Sequence, residues 1–173
     1  MDILSLAGKR CSVRNYSPAP VEGDKLDYIL EAARLAPSAC NLQPWRLMIV
    51  TSDKGREKLW MAYKREWIRP VTVFVVVCGD HNVSWKRPLD GKDHLDVDAG
   101  IVIEHICLSA AEKDLGSCII CHFDASLVAR EFNLSGSVEP LAIIPIGYPS
   151  DPDLFVKTAK QRKALNEILI TTF

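Results

Sequence analysis

Three short stretches carry residues able to do chemistry. The first is "RCSVR", residues 10–14. In an extended segment Arg10, Ser12 and Arg14 alternate onto one side. Two guanidiniums and a hydroxyl on one side suit a phosphate, because each guanidinium offers paired donors matched to phosphate oxygens. Taken alone, a solvated basic patch beside a helix accounts for the same residues. The second stretch is "PSACNLQPW", residues 37–45. Side-chain amides both donate and accept, so Asn41 and Gln43 on a helix-to-strand connection can read the edge of a heteroaromatic ring. Capping of helix ends, with Trp45 as plain core, is the simpler alternative. The third, "KQR" at residues 160–162, is by itself an ordinary charge cluster.

The totals limit what these stretches can mean. A chain of 173 residues suits one domain, or one domain with arms. A composition 48% hydrophobic and 25% charged is that of a globular protein. With a net charge of -1, nothing points to nucleic acid or an acidic membrane surface, so an anionic ligand would need locally grouped cations. No signal-peptide pattern follows Met1. The longest apolar runs, such as "VTVFVVVC" and "LAIIPIGY", are too short to span a bilayer. The expectation is a cytoplasmic chain with no membrane partner. Cys11, Cys40, Cys78, Cys107, Cys118 and Cys121 sit mostly in apolar patterns. In a reducing compartment they are expected as small buried hydrophobes, not a disulfide framework. No His, Cys, Asp and Glu set has zinc spacing, so no metal is expected.

The elements that must position these residues follow from periodicity. Residues 2–9 read as a short helical turn, and 24–36 as an amphipathic helix with Leu26, Ile29, Leu30, Ala33 and Leu35 on one side, ended by Pro37. Residues 45–52 read as a strand, and 53–68 as a second amphipathic helix. The β-branched run 70–80 fits a central strand buried on both faces. A polar loop, 81–94, leads to a long apolar helix over 96–116, with Gly116 placed as its C-cap. A short strand over 117–123, a helix over 124–133 with an Asp N-cap and a last strand over 138–149 complete the core. This alternation gives an α/β or α+β class around one sheet. The tail, 150–173, ends in the apolar "LNEILI". It either caps its own sheet or packs on a partner subunit.

Together the motifs resemble the nitroreductase family of FMN-dependent oxidoreductases. The matching residues are "RCSVR", "PVEGDKLDYILEAARLAPSACNLQPW", "DVDAGIVIEHICLSAAEKDLGSCIICHFD", "AIIPIGYP" and "KQRKAL", which cover nearly the whole chain. The A-P-S-x-x-N-x-Q-P-W block is specific; the others are weak singly. The resemblance implies one α+β FMN-binding domain over 1–173. Its expected form is an α-β-α sandwich with a mostly antiparallel central sheet and a C-terminal arm reaching the partner of a homodimer. It implies that Arg10, Cys11, Ser12, Arg14, Lys160 and Arg162 hold the FMN phosphate and ribityl chain. Pro37, Ser38, Ala39 and Asn41 would line the flavin from the other subunit, with Gln43 and Trp45 as scaffold. Ile120 and Cys121 are possible ring neighbours. The implied activity is ping-pong reduction of electron-poor small-molecule acceptors, such as nitroaromatics or quinones, by NAD(P)H. No side chain need act as acid or base, so no catalytic residue is named.

Two departures matter. Longer members of that family carry a helical insertion over the active site, whereas this chain has only "HNVSWKRPLDGKDHLD", with Trp85, Lys86 and Arg87 as candidates to face substrate. The segment "CIICH" also matches a haem-attachment signature. It reads as a strand, with Cys118 and Cys121 on opposite faces, so neither haem nor a redox cysteine pair is expected. The alternatives to a reductase are an FMN-binding sensor or partner protein without turnover, and a same-fold enzyme for reductive dehalogenation or flavin breakdown.

Overall fold

Two hydrophobic cores, one on each face of a sheet, organise the chain. The computed structural model describes residues 2–157 and 160–171, apart from the side chains of 156 and 157. Four strands, β1 (Trp45–Val50), β2 (Val73–Asp80), β3 (Gly116–Ser117) and β4 (Val138–Gly147), pair antiparallel in the order β1-β2-β4-β3. β2 is central, and its alternating residues fill both cores. Val73, Val75 and Val77 pack with Ile29, Ile106 and Ile144 under α2 (Gly23–Arg34) and α4 (Leu95–Glu112). Phe74, Val76 and Cys78 pack with Leu59, Val128 and Ile143 under α3 (Asp53–Ala62) and α5 (Ala125–Glu131). Each fully buried Val, Ile or Phe contributes about 1.5–3 kcal/mol. The continuous apolar run of β2 is thus explained by burial on both sides. The antiparallel pairing decides for α+β.

Short helices frame this core: α1 (Ile3–Lys9) at the start, and α6 (Leu154–Lys157) and α7 (Leu165–Ile168) in the tail. Side-chain caps set three N-termini. Asp2 accepts from the Ser5 N–H, Ser52 from Gly55 and Asp124 from Leu127. Among the described residues, no helix is long and apolar enough to cross a membrane.

Four expectations need correction. The helix expected over 53–68 stops at Ala62. Tyr63 leaves the helical region, and only a 3₁₀ turn follows at Glu66–Ile68. Gly116 is not a C-cap. Asp114 takes the left-handed position (φ 61) after α4, and Gly116 begins β3. Glycine is required there for closeness, since a Cβ would lie 2.7 Å from the Val13 side chain. The strand expected over 117–123 shrinks to two residues plus one isolated bridge from Ile120 to Ile143. Of the six thiols, only Cys78, Cys107 and Cys118 are buried; Cys11 is half-buried, and Cys40 and Cys121 are exposed.

Candidate functional site

The cationic segment is laid against the sheet by its apolar residue. Val13 is buried, its N–H donates to the Ser117 carbonyl at 2.9 Å, and Ser12 bridges Ser117 in parallel. That contact turns Ser12 and Arg14 outward, where both are exposed, and turns Cys11 toward the core. Arg10 departs from strict alternation. As the C-cap of α1 it turns inward, its side chain is 15% exposed, and it stands 3.9 Å from Glu104 of α4. Its Nε–H has no partner among the described residues. Arg10 and Arg14 both act on the Cys118 thiol, which burial pushes up.

The tail joins this group from the other end of the chain. The Lys160 ammonium donates to the Ala7 carbonyl of α1. Its pKa is lowered, first by burial and then by the charges of Arg162 and Arg10. Three cations from both ends of the chain therefore crowd one place, and Glu104 is the carboxylate acting on them. Arg162 is exposed and, among the described residues, donates to its neighbour's carbonyl, Gln161 O, at 2.8 Å.

The second stretch forms a tight, strained loop. Cys40, Asn41 and Gln43 all adopt positive φ (49, 54 and 48). Non-glycine residues in such conformations cost about 1–3 kcal/mol each, and persist where surroundings over-determine them. The surroundings here are specific. Gln43 N–H donates to Ser38 Oγ at 2.8 Å, and the Gln43 side-chain amide donates to Asn41 O and Oδ1. Trp45 is buried core, and Pro37 is exposed. Gln43 and Trp45 thus do scaffold work. The main anchor is a residue the sequence reading passed over. Asp98, 2% exposed, accepts the Ala39 N–H at 3.0 Å, and its Oδ2 has no partner among the described residues. The available signal was an acidic side chain inside an otherwise apolar helix.

α4 relates the two regions. The loop is fixed to Asp98, and the Cys107 thiol acts on the Arg10 guanidinium. Those positions are nine residues apart. At about 100° per residue they point from opposite sides of the helix, and are separated by roughly 13 Å along it. The loop and the Arg10 side chain therefore meet α4 on opposite sides.

A cleft of about 330 Å³ lies near the sheet's other face, between residues 61–65 and 122–124. Tyr63 and Phe123 line it, as do Lys64, Arg65 and His122. It adjoins Cys121, which is exposed, while Ile120 is buried and paired with Ile143. Rings connect the cleft to the cationic segment: Tyr63 meets Trp67 edge-on at 5.8 Å, and Trp67 stacks on Tyr16 at 6.1 Å. Lys64 and Arg65 were hidden in the sequence because the helix was read through them. Lys86 and Arg87 of the 81–94 loop, expected to face substrate, bind their own loop instead. Arg87 pairs with Asp90, and Lys86 donates to the His81 carbonyl. Trp85 meets His94 edge-on at 4.8 Å.

An antiparallel four-stranded sheet with helices on both faces defines an α+β class, and comparison with known proteins makes the assignment. The model of the nitroreductase family matches residues 7–80 and 63–148, and the chain belongs to that family. A nitroreductase family protein of Clostridium difficile 630 superposes with a TM-score of 0.86 at 38% identity, over 98% of this chain and 97% of that one. The iodotyrosine deiodinase of Thermotoga neapolitana is 26% identical over 97% of this chain and 96% of its own. The FMN reductase [NAD(P)H] of Bacillus subtilis is 29% identical, covering 86% of this chain and 66% of that protein.

Proposed function

We propose that the chain is an FMN-dependent NAD(P)H oxidoreductase that works as a homodimer. One observation carries the reading: the Lys160 ammonium is tied, half-buried, to the Ala7 carbonyl of α1, where the charges of Arg162 and Arg10 act on it and Glu104 stands 3.9 Å from Arg10. Such crowding is unfavourable unless an anion occupies it. A phosphomonoester carries about two negative charges near neutral pH, and the unpaired Arg10 Nε–H is a donor left over for it. Charge-assisted hydrogen bonds of about 1.5–3 kcal/mol each are enough to hold FMN without covalent linkage. The Bacillus relative's name pairs FMN with NAD(P)H.

On this reading Arg10, Ser12, Arg14, Lys160 and Arg162 bind the phosphate and ribityl chain, with Cys11 contributing by its place in the segment. The flavin ring lies against Ile120 and Cys121, with the cleft beside it. The opposed directions of loop and cluster across α4 favour a second copy as the source of Pro37, Ser38, Ala39 and Asn41. The tail supports the same arrangement. Leu165, Ile168, Leu169 and Ile170 are 67%, 63%, 53% and 100% exposed, so α7 does not cap its own sheet and is available to a partner. Bound FMN supplies the redox chemistry, and the protein supplies position and electrostatics. With a nitroaromatic, NAD(P)H and a proton give NAD(P)⁺, the nitroso compound and water. With a quinone they give NAD(P)⁺ and the hydroquinone.

The test is optical. A yellow dimer whose visible band bleaches with NADH or NADPH and returns with a nitroaromatic or quinone supports the proposal. A colourless chain that cannot be reconstituted with FMN overturns it. The deiodinase similarity favours a second reading, in which an aryl iodide and NAD(P)H give arene, iodide and NAD(P)⁺. Iodide release from iodotyrosine, without nitroaromatic turnover, would select it.

A further inference from the structure

The cleft between residues 61–65 and 122–124 contrasts with most of the molecule's cationic surface. Arg34 pairs with Glu31, Arg56 with Asp53, Arg69 with Glu57 and Arg87 with Asp90. In the cleft, the side chains of Lys64, Arg65 and His122 have neither a hydrogen-bond nor an ion-pair partner among the described residues. The lining carboxylate, Asp124, is occupied as the N-cap of α5, accepting the Leu127 N–H at 2.8 Å. The walls include the rings of Tyr63 and Phe123 and the side chain of Met61. Aromatic walls favour a planar guest, and uncompensated cations around a concave surface focus a positive field on it. The whole chain has a net charge of -1, so this field is local.

We propose that this cleft selects acceptors bearing an anionic group on a planar ring, such as an aromatic carboxylate. The inference rests on the FMN reading, which places the cleft beside the flavin. Tyr63 and Phe123 hold the ring, and Lys64 and Arg65 hold the anionic group. Two partly exposed charge contacts should favour an anion over its neutral isostere by roughly tenfold, and salt should weaken that preference.

The NAD(P)H donor is also an anion, so binding is measured without it. The holoprotein is titrated with para-nitrobenzoate and with neutral para-nitrobenzamide, by calorimetry or NMR, at low and at physiological ionic strength. The same titrations are run on Lys64→Glu/Arg65→Glu. In the wild type the benzoate should bind roughly tenfold more tightly at low salt, and the gap should narrow as salt rises. In the charge-reversed protein the gap should close. The ratio of kcat/KM for the two acceptors should follow it. Comparing ratios cancels the different intrinsic reactivity of the two nitro groups. The salt series needs no variant, so a folding defect in the double substitution leaves the test intact. Equal wild-type affinities, or a gap that survives charge reversal, overturns the inference. So does a variant that weakens NADPH binding and leaves the acceptor ratio alone. A colourless protein would instead remove the FMN reading.

Discussion

Two basic regions of this molecule use the same residue types to opposite ends. In the 81–94 loop each named cation meets a nearby anion. Arg87 pairs with Asp90, Lys86 stands 3.6 Å from Asp93, and His81 lies between Asp93 and Glu139. In the cluster of Arg10, Lys160 and Arg162, cations face one another, and Glu104 stands 3.9 Å from the first. Paired surface charges give a loop its shape and leave little to offer a ligand. Crowded, under-compensated charges reverse that balance: they cost stability in the free chain and recover it when an anion binds. The contrast predicts that substitutions in the cluster change ligand affinity more than folding, and that substitutions in the loop do the reverse.

The largest effect should come from Arg10→Ala. Losing one charge-assisted contact costs about 1.5–3 kcal/mol of FMN affinity, a tenfold to hundredfold loss. The free protein should melt no earlier for lack of that charge, because Lys160 is relieved of a like neighbour. Fluorescence titration with FMN and a melting curve of the flavin-free chain check both halves. Full flavin occupancy on dilution would break the comparison. Gly116→Ala acts on the support of the same cluster. A Cβ at 2.7 Å from Val13 must push the 10–14 segment off β3. Overpacking of this kind costs about 1–3 kcal/mol of stability. FMN affinity should fall with it, since Ser12 and Arg14 ride on Val13. If thermal stability drops and FMN binding is untouched, the segment does not hold the phosphate.

Much of this contrast was legible in the sequence, and the remainder was hidden for physical reasons. Helix and strand periods located the elements, and the β-branched run of β2 announced a strand covered on both faces. The motif residues were found because Arg alternation and a Pro-, Asn- and Gln-rich connection are local signals. The role of Gly116 was misread because its constraint comes from Val13, about a hundred residues away in sequence. Asp98 was missed because a helix carries no mark of which side chain will meet a loop amide. The helix over 53–68 was drawn too long because Trp60, Tyr63 and Trp67 keep an apolar spacing. Tyr63 and Trp67 are half-buried by ring contacts, Tyr63 edge-on to Trp67 and Trp67 stacked on Tyr16, and not by helical packing. The paired state of Lys86 and Arg87 depends on turn geometry that composition does not encode.

The smallest effect tests the loop. His81 Nδ1 lies 2.9 Å from Asp93 Oδ2, and Nε2 lies 2.9 Å from Glu139 Oε2. Only the imidazolium can donate to both, so Asp93, then Glu139, raise the His81 pKa above its ordinary value. Burial alone would raise the Asp93 pKa, but His81, Ser84, the Leu95 N–H and Lys86 outweigh it and hold the carboxyl well below the usual range. The signs are opposite. The His81 contribution is complete below the unfolded pKa of about 6.5 and is lost as pH rises through the higher folded value. The Asp93 contribution is complete above about pH 4 and is lost only in strong acid. Both therefore act between about pH 4 and 6.5. Because the His81 side chain is 44% exposed, the pair contributes about 1 kcal/mol or less. Denaturant unfolding of wild type and His81→Gln should differ by that amount at pH 6 and converge at about pH 9, where the wild-type imidazole is neutral. FMN affinity should be the same in both proteins at either pH. A His81→Gln protein that loses flavin as Arg10→Ala does would show that the loop and the cluster are coupled, and the division between shape-giving and ligand-binding charge would not hold.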